Sequence, residues 1–175
     1  CKVLNLFSFT CSFSVAALTG GARSVVNIDL SDAALTLGKQ NHALNGYQDA
    51  QVHYLPHNIF RSWKKLHNLG RYDIIVVDPP SAQKGSFMAE KDYPKVLRKL
   101  HKLLAPEADL LICLNAPWLD YAWLEQCVAD NLPGAQLQSR LPGASGFDEA
   151  GEPALKTLHY RYQRPAILDV SADGG

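Results

Sequence analysis

Four consecutive β-branched residues, Ile74-Ile75-Val76-Val77, are cut off by Asp78-Pro79-Pro80. A strand that is apolar at every position, rather than at every second one, has both faces covered, as in a parallel sheet. The two prolines lack backbone N–H groups and stop the ladder abruptly. The rest of the chain fits that architecture. Strands are predicted at Val3–Phe7, Ser24–Asp29, Gln51–Leu55, Tyr72–Val77 and Ala108–Leu114. Helical segments separate them: Ser12–Leu18, a helix capped by Ser31 and running to Leu44, Asn58–Leu66 and Ala89–Leu104. Another, Pro117–Leu132, carries Pro117 in its first turn. Gln136–Leu141 and Leu155–Tyr162 then follow as two successive strands. In the second, Thr157, His159 and Arg161 alternate with Leu158, Tyr160 and Tyr162, the period of a half-solvated strand. The expectation is a mostly parallel α/β sheet closed by an antiparallel hairpin.

The 175 residues are 47% apolar and 19% charged, the balance of a globular chain. Seventeen basic residues offset seventeen acidic ones, yet residues 61–102 hold ten basic and four acidic side chains, and residues 103–175 the reverse. The first of these stretches suits a polyanion, although helices routinely carry solvated charge. The four cysteines form no CxxC pair and the histidines show no metal-ligand spacing, so no metal site is expected. Free thiols fit a reducing compartment. No apolar run reaches the length of a membrane span and no signal peptide opens the chain, so the expectation is a cytoplasmic protein with no membrane partner. Cys1 enters the first strand with no lead-in. The chain therefore reads as a piece of a longer protein, with one domain over residues 1–165, a loose tail over 166–175 and an upstream substrate-binding part elsewhere.

Open parallel sheets bind ligands at the carboxyl ends of their strands. Asp29 ends the second strand, where a carboxylate can accept from both hydroxyls of a ribose. It could instead cap the next helix, a task that Ser31 or Asp32 can also perform. The first turn, Phe7 to Ser14, has no glycine, which argues against a pyrophosphate-bearing dinucleotide and hence against a nicotinamide-dependent oxidoreductase. Its hydroxyls at Ser8, Thr10, Ser12 and Ser14 could receive a carboxylate, and Phe7 and Phe9 could line a cation. A hydroxyl-rich cap over aromatic core residues accounts for the same pattern. Asp78, directly after four buried aliphatics, is costly there unless it is paired or used.

Asn5-Leu6-Phe7-x-x-Thr10-x-x-Phe13-Ser14, then Asp29 with Ser31, then Gln40-Asn41-x-x-Leu44-Asn45, then Tyr72-Asp73-x-x-x-x-Asp78-Pro79-Pro80-Ser81 together resemble a class I S-adenosylmethionine-dependent methyltransferase. The pattern is similar to the family that contains the large-subunit ribosomal RNA methyltransferases I and K/L, over about Val3 to Arg164. The resemblance implies a Rossmann-like sheet of seven strands, helices on both faces, and S-adenosylmethionine as methyl donor. Position by position, it implies that the turn Phe7, Ser8, Phe9 and Thr10 wraps the methionine part, with Asn5 and Asp78 also in the cofactor site. Asp29 and Leu30 would hold the ribose, Asn58 and Ile59 the adenine. Asp78, Pro79 and Pro80 would form the catalytic floor, with Ser81, Tyr93 and Asn115 bordering the substrate.

Three positions depart from the family pattern. Asn5 and Asn58 replace acids, and Cys11 replaces a glycine. Asn115 stands where pyrimidine carbon-5 methyltransferases carry a nucleophilic cysteine, and Cys113 reads as core. Tyr93 and Trp118 are candidates to stack on a planar substrate, and the loop 143–148 to close over it. The function implied is methyl transfer to a nucleobase of RNA, ribosomal RNA in this family, without a cysteine nucleophile. The alternative is a degenerate domain that keeps the fold and serves as an RNA-binding or interaction module.

Overall fold

A computed structural model describes residues 1–80, 82–83, 87–142 and 155–166. The chain runs β1 (Lys2–Leu6), α1 (Ser12–Thr19), β2 (Ser24–Asp29), α2 (Asp32–Leu44), β3 (Gln51–Pro56), a 3-10 turn (Ile59–Arg61), α3 (Trp63–Asn68) and β4 (Tyr72–Val77). A small antiparallel hairpin pairs Ala82–Gln83 with Phe87–Met88. Then come α4 (Ala89–Leu100), β5 (Leu104–Leu114), α5 (Tyr121–Asn131), β6 (Ala135–Leu141) and β7 (Lys156–Gln163). The seven long strands form one sheet in the order β3-β2-β1-β4-β5-β7-β6. Its first five strands are parallel, and β7 and β6 are antiparallel. The order reverses between β1 and β4, and that switch point is where open α/β sheets take their ligands.

Leu4, Leu6, Ile28, Ile75, Val77, Leu110 and Ile112 face α3, α4 and α5 and form the main core with Leu66, Val96, Leu97, Leu124 and Val128. On the other face, Leu18 of α1 covers Val3 and Val25. The β7 alternation is as expected: Leu158, Tyr160 and Tyr162 are buried, and Thr157, His159 and Arg161 are partly exposed.

Several strand ends shift by a residue, β5 begins at Leu104 rather than Ala108, and three helical segments differ from expectation. The fourth helix stops at Leu100 rather than Leu104, because the Leu103 carbonyl accepts from Tyr72 N at 2.9 Å and the Arg71 guanidinium holds the Leu104 carbonyl. The sheet captures these residues before the helix can use them. The helix expected from Pro117 begins at Tyr121, since the Asp120 carboxylate accepts from Trp123 N at 2.8 Å and supplies a stronger cap. The segment Asn58–Leu66 breaks into two pieces. Asn58 Oδ1 accepts from Phe60 N at 2.8 Å, which closes the 3-10 turn, and α3 starts afresh at Trp63.

Beneath the first turn a fully buried polar chain joins four elements. Asn5 Nδ2 donates to Asn27 Oδ1 (3.0 Å), and Asn27 Nδ2 donates to Ser14 Oγ (3.1 Å). Ser14 Oγ meets His42 Nε2 (2.8 Å), and His42 Nδ1 meets the Gly38 carbonyl (2.7 Å). A carbonyl can only accept, so Nδ1 carries a proton, and with a neutral imidazole Ser14 donates to Nε2. Every link then runs in one direction, from β1 through β2 and α1 to α2.

Gly38 has a second role. A Cβ at this position would lie 2.5 Å from Cys11 Sγ, and Cys11 itself sits in the left-handed region at φ +64. Gly38→Ala would ordinarily stabilise a helix by about 1 kcal/mol. Here it is expected to cost about 1–3 kcal/mol through overpacking. Adding Cys11→Gly removes the sulfur and relieves the backbone, so the double variant is expected to recover most of the loss. Urea denaturation of the three variants measures both effects.

Candidate functional site

The carboxyl ends of β1, β2, β3 and β4 open on one cleft of about 540 Å³. Phe7 and Phe9 of the first turn form one wall, and Ile28, Asp29, Leu30 and Ser31 another. His57, Asn58, Ile59 and Phe60 close one end, and Asp78, Pro79, Pro80 and Asn115 close the other.

The first turn is held in a conformation its residue types disfavour. Phe7 (φ +59), Phe9 (φ +44) and Cys11 (φ +64) are all left-handed, at about 1–2 kcal/mol each for a residue bearing a Cβ. Tertiary bonds enforce it. Ser8 N donates to the Ile28 carbonyl, Cys11 N to the Ser8 carbonyl, and Asn41 Nδ2 to the Thr10 carbonyl. Phe9 N donates to Asp29 Oδ2 at 2.9 Å. The other carboxylate oxygen, Oδ1, accepts from Ser31 N at 2.9 Å, while Ser31 Oγ takes the capping bond from Ala34 N. The capping duty therefore falls to Ser31. Asp29 is clamped by an amide on each oxygen and keeps a lone pair on each for a ligand.

At the far end, burial raises the pKa of the Asp78 carboxyl above the ordinary carboxylate value. Pro79 is buried beside it. A model of the S-adenosylmethionine-dependent methyltransferases matches residues 1–161. The chain belongs to that family.

Individual relatives narrow the likeness. It is 35% identical over 133 residues to a ribosomal RNA large subunit methyltransferase I from Aeromonas salmonicida, covering 74% of this chain and 34% of that protein. It is 38% identical over 119 residues to a ribosomal RNA large subunit methyltransferase K/L from Shewanella baltica, covering 65% and 16%. The chain thus spans about a third or less of the length of these curated relatives. A solved structure described as a methyltransferase complexed with SAH superposes with a TM-score of 0.79 at 27% identity, covering 91% of this chain and 44% of that one.

The cleft fits S-adenosylmethionine on chemical grounds. An acceptor-only carboxylate suits a vicinal diol. Ile28, Ile59 and Phe60 offer apolar surface to a purine. With no phosphate to cradle, the glycine-free turn is no obstacle.

The cleft brings together Phe7, Phe9, Asp29, Leu30, Asn58, Ile59, Asp78, Pro79, Pro80 and Asn115 among the expected site residues. Others lie elsewhere. Asn5 is buried on the opposite face of β1 from Leu4 and Leu6, in the polar chain described above, and lines no part of the cleft. Ser8 is buried behind the turn, and Thr10 is engaged through its carbonyl. Tyr93 is fully buried and cannot stack on a substrate. Its hydroxyl sits against the Cys113 and Val77 carbonyls, tying together the ends of β5 and β4, and its ring meets Phe87 and Trp123 edge-on. Ser81 and the loop 143–148 lie outside the described residues. Ile28, His57 and Phe60 also line the cleft, as does Ser31, expected only as a cap. Each lies within two residues of an expected site residue: Asp29, Asn58 or Ile59.

Cys113 is buried with its thiol pushed up to about 12, chiefly by desolvation. Among the described residues no group of three or more His, Cys, Asp or Glu is placed to hold a metal ion, and no helix is long and apolar enough to cross a membrane.

Proposed function

We propose that this methyltransferase transfers a methyl group to a nucleobase of RNA, ribosomal RNA being the substrate class of its named relatives, by direct attack of a base nitrogen. The observation that carries the reading is that two carboxylates, Asp29 after β2 and Asp78 after β4, line one cleft at the sheet's switch point. The sulfonium of S-adenosylmethionine supplies an electrophilic methyl group when bound. The chain's task is to align that group with a nucleophile and exclude water. Asp29 accepts from the ribose hydroxyls. Phe7, Phe9 and the first-turn amides wrap the methionine part, and Leu30, Asn58 and Ile59 bracket the adenine. Asn58 spends an Oδ1 lone pair on Phe60 N, so its Nδ2 is the group best placed to donate to a ring nitrogen. Asp78 and the Pro79 carbonyl accept from the amine of the incoming base, and Asn115 borders it. Covalent activation of a pyrimidine is disfavoured because Asn115 is no nucleophile and the Cys113 thiol stays protonated near neutral pH.

A degenerate, non-catalytic domain is less well supported. Of the three departures that suggest it, Asn5 and Cys11 lie in the packing beneath the first turn, and only Asn58 reaches the cleft. Incubation with labelled S-adenosylmethionine and unmodified ribosomal RNA, followed by nucleotide mapping, is expected to show label on a base nitrogen. Label on a ribose or on carbon-5 overturns the nitrogen assignment. Absence of label together with absence of S-adenosylhomocysteine binding by calorimetry supports the degenerate domain.

A further inference from the structure

Just past Asn115, beside the cleft mouth, is a second cavity of about 360 Å³ walled by Pro117, Trp118, Leu119, Asp120, Trp123 and Lys156. We propose that it receives a guanine of the RNA strand, flanking the base that enters the cleft; this rests on the RNA reading above. Its position is set by the sheet. Lys156 begins β7 directly opposite Leu114, the residue before Asn115, and Pro117 follows Asn115 by two residues. A base in the cleft and its neighbour on an unstacked strand can therefore be held side by side.

The chemistry of the wall favours a nucleobase. Trp118 is 58% exposed although its single polar atom, Nε1, is tethered to Glu90 Oε1 at 3.1 Å. An indole fixed by its edge and left that exposed offers ring surface for stacking, and base–indole stacking is sequence-tolerant and strong. Trp123 is fixed from behind by its edge contact with Tyr93. Lys156 also lines the wall and is 2% exposed. Asp120 accepts from Trp123 N through Oδ1. Its Oδ2 has no hydrogen bond among the described residues.

A carboxylate with one oxygen left over selects among the four bases. Guanine places two donors, N1–H and the N2 amine, side by side for one carboxylate. Adenine has one donor group on that edge, and uracil one N–H between two acceptors. Cytosine places its single amine beside acceptors that a carboxylate repels. Lys91, next to the Trp118 partner Glu90 at the start of α4, adds an exposed basic residue suited to the strand's phosphates.

The test uses tryptophan fluorescence of the protein saturated with S-adenosylhomocysteine, titrated separately with the 5′-monophosphates of guanosine, adenosine, cytidine and uridine. Guanosine monophosphate is expected to quench at a concentration at least about fivefold below the others, and Trp118→Ala to weaken its binding about tenfold. Asp120→Asn keeps the cap of α5, because Asn caps as well as Asp, and is expected to erase the guanine preference while stacking persists. Equal quenching by all four nucleotides, or a response untouched by Trp118→Ala, overturns the proposal. Methyl incorporation into ribosomal RNA by the unaltered protein tests the underlying reading separately. Incorporation without guanine-selective quenching sinks the cavity alone. Selective quenching without incorporation leaves the cavity standing and sinks the catalytic reading.

Discussion

Replacing Asp29 with alanine is expected to weaken S-adenosylhomocysteine binding about 100-fold or more, read by isothermal calorimetry. Two charge-assisted bonds to ribose hydroxyls at about 1.5 kcal/mol each account for that factor. A further loss comes through the first turn. Phe9 N donates to Asp29 Oδ2, and that bond helps hold Phe9 at φ +44 against its own preference. Without the carboxylate, the turn relaxes toward conformations that a Cβ-bearing residue favours, and the wall made by Phe7 and Phe9 is lost. Asparagine is no conservative replacement. The two oxygens accept from different amides, Phe9 N and Ser31 N. The Asn amine must face one of these donors and leave it unpaired, so Asp29→Asn is expected to bind as poorly as Asp29→Ala. Unchanged affinity in the alanine variant would remove Asp29 from the site.

The legibility of this fold in its sequence follows from which boundaries are local. The strands Ser24–Asp29 and Tyr72–Val77 match expectation at both ends, because runs of Val and Ile stop at a residue that cannot continue a buried ladder. Ser31 was readable as a cap because its bond to Ala34 N spans three residues. The end of α4 is not local. Leu103 and Leu104 continue the apolar helical pattern, and the distant Tyr72, Arg71 and Arg164 take them into the sheet. Attention to strand ends recovers Phe7, Asp29, Asn58, Asp78 and Asn115, which is most of the cleft. Asn5 falls outside it for a reason its neighbours reveal: Leu4 and Leu6 point to the main core, so a residue between them points to the other face. Tyr93 is harder. A tyrosine near the start of a helix beside a site can as well brace the strands as touch a ligand, and its packing decides. The left-handed backbone at Phe7, Phe9 and Cys11 is illegible from residue types, because phenylalanine and cysteine disfavour it.

Asp78→Asn is expected to separate catalysis from stability, with the two moving in opposite directions. Turnover is expected to fall about 100-fold, while donor affinity stays within about threefold, since the residue faces the acceptor end of the cleft. The pH profile carries the cause. Burial raises the carboxyl pKa, and no group among the described residues donates a hydrogen bond to it. Only the ionised form accepts from a base amine through both oxygens. The wild-type rate is therefore expected to rise with pH through a midpoint above the ordinary carboxylate value of about 3.9, and the Asn variant to lack that limb. For stability the sign is reversed. An acid whose folded pKa is raised binds its proton more tightly in the folded chain than in the unfolded one. Its ionisation therefore costs stability, increasingly as pH climbs from the unfolded to the folded pKa and constantly above that. Removing the charge is thus expected to raise the melting temperature at pH 7, with the gain shrinking to nothing in acid, where wild-type Asp78 is protonated in both states. Thermal denaturation across that range checks the point. A variant less stable than wild type at pH 7, or one with unchanged turnover, would mean that Asp78 serves the fold rather than the reaction.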